Sequence, residues 1–197
     1  MDAKLLVAGA IFSGIVIYCV LAYNRLVELR AQIANAFAQI EVQLRRRFDL
    51  VPALVEVARR YMEHERATLE AVIVARNFAA HATQRAAAAP GDIAAMQGLS
   101  AAAGALTDSL GRLMVVAEAY PDLKADERMS QLSEELSSTE NRIAFARQAY
   151  NDAVMDYNVG IGVFPVNLIA TMFRFTPSRQ LNAVEIPAQR EAVRVQF

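Results

Sequence analysis

ENRIAFARQAYNDAVMDYN, residues 140–158, has the spacing of an amphipathic helix, yet it carries more Asn, Arg and Tyr than a plain core helix requires. At about 100° per residue, Ile143, Ala146, Tyr150, Ala153, Val154 and Tyr157 gather on one face. Glu140, Arg147, Asn151 and Asn158 form a second stripe along its edge. Polar groups at the border of a core must find partners, because an unpaired buried one costs ~1–3 kcal/mol and a charge costs more. Asn24, Asn35, Asp49, Glu56 and Asn77 are candidate partners on other helices. Two readings stay open. A satisfied network fixes register between long helices that Leu and Ala alone would let slide; alternatively, the stripe recognises a polar ligand.

The chain has 197 residues, room for one ordinary domain and a short appendage. Its mean hydropathy of +0.22 is high for a soluble protein, and one segment explains much of that. Leu5 to Tyr23 reads LLVAGAIFSGIVIYCVLAY, with no charge between Lys4 and Arg25. About 20 apolar residues at ~1.5 Å each cover the ~30 Å hydrocarbon core of a bilayer, and backbone in lipid must satisfy its own hydrogen bonds. A transmembrane helix over residues 5–23 is therefore expected, after a short tail at 1–4. A cleaved signal peptide is the rival, but the run exceeds an ordinary h-region and its helical pattern continues through Arg25. Cys19 is the only cysteine, so no internal disulfide is possible. Arg25 and Arg30 after the span against Lys4 before it tilt the following domain toward the cytoplasm. A net charge of −1 offers no electrostatic case for nucleic acid.

Beyond the span, Leu26, Leu29, Ile33, Phe37, Ile40, Leu44, Phe48, Val51, Val55, Ala58 and Met62 step by three or four, the helical period. Pro52 interrupts this ladder. The unbroken phase favours a kinked rod; Asp49 as a cap, with Pro52 in a first turn, favours a reversal. A second helix runs to about Arg85, and Ala89-Pro90-Gly91 breaks it, with Asp92 as N-cap of a third. Ile93, Met96, Leu99, Ala103, Leu106, Leu110 and Leu113 share that helix's predicted apolar face. Asp122 or Asp126 starts a fourth, which Gly160, Gly162 and Pro165 stop. A short apolar segment, Val166–Phe173, covers the bundle end or contacts a subunit or membrane surface. The tail, 176–197, is polar and lacks periodicity. The reading is all-α, with a bundle over residues 24–175.

Catalytic signatures are missing. The residues three before His64 and His81 are Tyr61 and Phe78, so no Glu-x-x-His pair exists for a di-iron site. Zinc-protease spacing, metal-spaced cysteines, a nucleophile elbow and a phosphate loop are likewise missing. No catalytic residue, metal or cofactor is expected. Within Arg45-Arg46-Arg47, Arg47 lies near the apolar stripe and is expected to bond inside the bundle, the other two facing solvent.

Several stretches together resemble the LemA family: Tyr23-Asn24, RRRFDLVPALVE from Arg45, Ala75-Arg76-Asn77, AEAYPDL from Ala117, ENRIAFARQAYN from Glu140, Tyr157-Asn158 and Phe164-Pro165. The resemblance implies a bacterial single-pass membrane protein with an antiparallel up-and-down four-helix bundle, and it tips Pro52 toward a reversal. One branch of that family is linked to magnetosome formation, which points to membrane organisation; no catalytic residues carry over. Phe48 stands where the family often has His, Phe37 where Trp is common, and the tail after Phe175 lacks the usual aromatic pair. The expected function is a non-enzymatic scaffold anchored in the bacterial inner membrane, with the bundle in the cytoplasm. Its partners would be the lipid bilayer, through residues 5–23, and further copies or other membrane proteins. The alternative is a sensing module using Glu140, Arg147, Asn151 and Asn158.

Overall fold

The computed structural model describes residues 3–181, which form helices and connections only. They are α1 (Ala3–Arg59), α2 (Arg66–Ala88), α3 (Ile93–Ala117), the single turn α4 (Pro121–Lys124), α5 (Glu127–Gly162) and α6 (Val166–Met172). Residues 1–2 and 182–197 of the two expected tails lie outside the described residues. α1 packs against α5 and α2, and α2 packs against α3. Tyr61 near the end of α1 meets Asp126 before α5, whereas Tyr23 meets Phe173 beyond it, so these two helices are antiparallel. Arg76 of α2 and Thr107 of α3 both reach the level of Arg47 and Phe48. The result is the expected up-and-down bundle of long helices.

α1 carries the bilayer-length segment and the first bundle helix in one piece. Its 57 residues rise ~1.5 Å each, giving a rod of ~85 Å. Leu6, Ile11, Phe12, Ile17 and Leu21 are exposed, with none of the described residues over them. α3 is also long and apolar enough to cross a membrane. Its Met96, Leu99, Leu106, Leu110 and Leu113, however, are buried in the bundle core, whereas the apolar window of α1 is almost wholly exposed. On α3, Ile93 is exposed and Ala102 replaces Ala103 on the buried face, a correction to the sequence-based face at its first turns.

The reversal at Pro52 implied by the family resemblance is not what the structure shows. α1 runs through Pro52 and turns only after Arg59, where buried Met62 plugs the connection to α2. A proline inside a helix leaves the carbonyl four residues earlier without its N–H. That carbonyl belongs to Phe48, and Arg76 Nε of α2 donates to it at 3.1 Å. A charged donor from a neighbouring helix thus replaces the missing amide, while Arg76 Nη2 stands 4.0 Å from Asp49.

Two caps set the later helices. Asp92 accepts from Ala95 N at 2.8 Å and opens α3. Asp126, not Asp122, opens α5, accepting from Arg128 N and Met129 N. The Tyr61 hydroxyl donates to the same carboxylate at 3.0 Å, tying the far end of α1 to α5. The Met129 amide, then the Tyr61 hydroxyl and after it the Arg128 amide hold Asp126 below the ordinary carboxylate value.

The Pro52–Arg76 pairing predicts a strong coupling. Arg76→Ala alone should destabilise the bundle by ~1.5–3 kcal/mol, since it orphans the Phe48 carbonyl. In a Pro52→Ala background the amide returns, and the same change should cost less than about half as much. Chemical denaturation of the four proteins in detergent checks this.

Candidate functional site

α1 and α5 are longer than α2 and α3. Past the α2–α3 turn, toward the apolar end of α1, only these two long helices continue. Yet Leu26, Leu29 and Ile33 of α1 and Val154, Tyr157 and Ile161 of α5 are all buried there. Gly160 lets the pair approach closely, for an added Cβ would stand 2.8 Å from Leu29 Cδ1. The remaining side is closed by chain that follows α6.

α6 ends in a Schellman turn. Phe175 N donates to Ala170 O and Arg174 N to Thr171 O, with Arg174 at φ 57° in the left-handed region. The chain then doubles back along α5. Thr176, preceding Pro177, is biased to extended backbone. Residues 176–181 have no helix or strand of their own.

Four side chains of α5 grip this segment, and all bonds go to its backbone. Asn158 Nδ2 donates to Ser178 O and Asn158 Oδ1 accepts from Ser178 N, both at 2.9 Å. Asn151 does the same to Leu181, at 3.2 and 2.8 Å. The Tyr157 hydroxyl donates to Thr176 O at 3.0 Å, and the Tyr150 hydroxyl to Arg179 O at 2.8 Å. Each Tyr-Asn pair is repeated after seven residues, a rise of ~10.5 Å on a helix. Each pair's targets are repeated after three residues, a rise of ~9–10 Å in extended chain. The two repeats match in length, so both pairs engage together.

The clamp is also fastened to the α2–α3 turn. Arg179 N donates to Gly91 O at 2.9 Å. Gly91 has φ 90°, and a Cβ there would lie 2.7 Å from Ser178 Oγ, so glycine is required twice over. Tyr150 is fully buried with its ring edge toward Phe37, centroids 5.9 Å apart. Burial pushes its hydroxyl up to about 12, so it stays a donor at any physiological pH.

The predicted polar residues divide accordingly. Asn151 and Asn158 bond the 178–181 backbone rather than another helix, a correction to the partners expected for them. Arg47 and Glu140 are brought together at 3.6 Å, and Arg47 also donates to Thr107 Oγ1 at 3.3 Å. Burial holds Arg47 below the ordinary guanidinium value while Glu140 pulls it back up. Because Glu140 is half exposed, this pair sits near the ~0–1 kcal/mol of surface ion pairs. Glu56 pairs with Arg60 at 3.4 Å on the surface, and Asp49 and Asn77 meet only Arg76. Asn24 and Asn35 are exposed, and Arg147 makes no ion pair among the described residues. No three His, Cys, Asp or Glu side chains converge as a metal site among the described residues. Tyr150, Tyr157, Gly91 and Pro177 were absent from the predicted network, although the repeated Tyr-Asn signal was visible.

A bilayer-length apolar helix running into a bundle, with its end laced by a returning segment, defines a membrane-associated helical-bundle protein. The chain belongs to the LemA family, whose sequence profile matches residues 36–197. It is similar to Magnetosome protein MamQ 2 of Paramagnetospirillum magneticum, 36% identical over 85 residues, which is 43% of this chain and 31% of the relative. It is also similar to Magnetosome protein MamQ of Magnetospirillum gryphiswaldense, 33% identical over 85 residues with the same shares. The matched stretch thus spans about a third of those relatives' length.

Removing both amide clamps should free the returning segment. Asn151→Ala with Asn158→Ala should lower bundle stability by ~2–4 kcal/mol, at ~1–2 per lost amide pair. Trypsin should then cut after Arg179 at least about tenfold faster than in the parent, the open population rising with the lost free energy. Unchanged cleavage would show that the amides hold nothing.

Proposed function

We propose that this protein is a membrane-anchored, non-enzymatic helical scaffold that self-associates or docks partner proteins at the bacterial inner membrane. The continuity of α1 carries this reading. A single helix that spans the bilayer and then enters the bundle core transmits position and orientation without a flexible joint. The pairing of Pro52 with Arg76 supports it, since the one weak point of the rod is bonded to α2. Exposed apolar side chains on the bundle flanks supply contact surface: Phe145 on α5, and Val74 with Phe78 one turn apart on α2. The excess of Arg25 and Arg30 over Lys4 near the span supports a cytoplasmic bundle. The named magnetosome relatives fit a role at a membrane.

The sensing alternative has less behind it. The amides of Asn151 and Asn158, its natural recognition groups, are already spent on residues 178 and 181. What remains open on that stripe is Arg147.

Self-association is checked by mass measurement in detergent together with crosslinking in native membranes. The expected result is a discrete oligomer or a defined crosslinked complex, weakened by Phe145→Asp with Phe78→Asp. A strictly monomeric particle at high concentration, with no crosslinked product in membranes, would overturn the scaffold reading.

A further inference from the structure

We infer that α6 and the turn before it form a second membrane contact, lying in the lipid headgroup region beside the spanning part of α1. This rests on the anchored reading of residues 5–23. α6 is apolar around nearly its whole circumference. Ile169 and Ala170 are buried against the bundle, while Phe164 in the turn before α6, and Leu168 and Met172, four apart on it, form an exposed apolar ridge. These three are 75%, 63% and 77% exposed, with Val163 and Phe173 beside them more than half exposed. A helix apolar on both faces needs burial on both. No part of the described chain covers the outer one.

Its height and angle identify the occupant. Phe173 packs against Tyr23, the last residue of the apolar segment, with ring centroids 4.8 Å apart and the planes tilted by 59°. Val163 and Val166 share a cavity with Tyr18, Leu21 and Arg25 of α1. α6 is therefore level with the end of the span, where Tyr18 and Tyr23 suit the membrane–water boundary. α6 bends 96° from α5, which runs antiparallel to α1. With α1 along the bilayer normal, α6 lies in the membrane plane, as interfacial helices do. The ridge is continuous with lipid already in contact with α1, and a lipid surface is the partner that its chemistry and position fit. Asn167 and Thr171 are its only polar residues, and the Thr171 hydroxyl is satisfied within the helix by donating to Asn167 O.

The test uses the full chain with Cys19→Ala, reconstituted in phosphatidylcholine–phosphatidylglycerol vesicles. Single nitroxides are placed through Leu168→Cys or Met172→Cys. Phe12→Cys serves as the bilayer reference and Gln148→Cys as the aqueous reference. Collision with oxygen and with a water-soluble nickel chelate is measured at each. The expected result is an oxygen-to-nickel ratio at residues 168 and 172 several-fold above that at 148 and below that at 12. A ratio equal to that at 148 overturns the inference while leaving the anchor intact. Shielding from both reagents also overturns it, because another protein then covers the ridge. An aqueous reading at residue 12 removes the anchored reading and this inference with it.

Discussion

A match of two repeats organises the membrane-proximal half of this protein. Tyr150-Asn151 and Tyr157-Asn158 recur every seven helical residues, and the backbone that they grip recurs every three extended ones. Two antiparallel helices alone, α1 and α5, would leave much of their apolar surface exposed beyond the four-helix part of the bundle. The returning segment closes that gap with Leu181 and Phe175, both packed on the core. Six hydrogen bonds from α5, at ~0.5–1.5 kcal/mol net each, outweigh the half-exposed Arg47–Glu140 pair. The clamp therefore dominates, and the ion pair is a local adjustment.

The same half of the molecule is the part that leads into the apolar segment of α1. Tension or rotation applied to the apolar end of α1 passes first through the α1–α5 pair, where Gly160 permits close contact with Leu29. It then passes the Gly91 turn, which the clamp ties to α5 through Arg179. Farther on, Arg76 repairs the backbone at Pro52, and Tyr61 joins the distal end of α1 to the α5 cap. Each weak point in the long rod is thus bonded to a different neighbour. Such a design suits a part whose task is to hold things at a fixed place and angle.

Much of this was legible in the sequence, and the exceptions have physical reasons. The long apolar helix, the helical periods, and the caps at Asp92 and Asp126 depend on local residues, so local rules found them. Pro52 did not yield to those rules, because its tolerance depends on an arginine that is distant in sequence. The family resemblance pointed the wrong way there. The tail from Thr176 seemed featureless because its regularity lies in carbonyls and amides, which every residue shares. The sequence-visible half of that pattern is Asn151 and Asn158, whose spacing fits a polar stripe between helices as well as it fits a clamp on extended backbone. Asn24, Asn35 and Asn77 have the right chemistry but are exposed, and none of them bonds that stripe among the described residues.

Amide hydrogen exchange across residues 176–181, followed residue by residue on the intact protein in lipid nanodiscs, tests the clamp most directly. The account predicts protection broken at a single position. Ser178, Arg179 and Leu181, whose amides are bonded to Asn158, Gly91 and Asn151, should exchange slowly, while Gln180 exchanges fast. Exchange at all four positions at the rate of an unstructured peptide would contradict it.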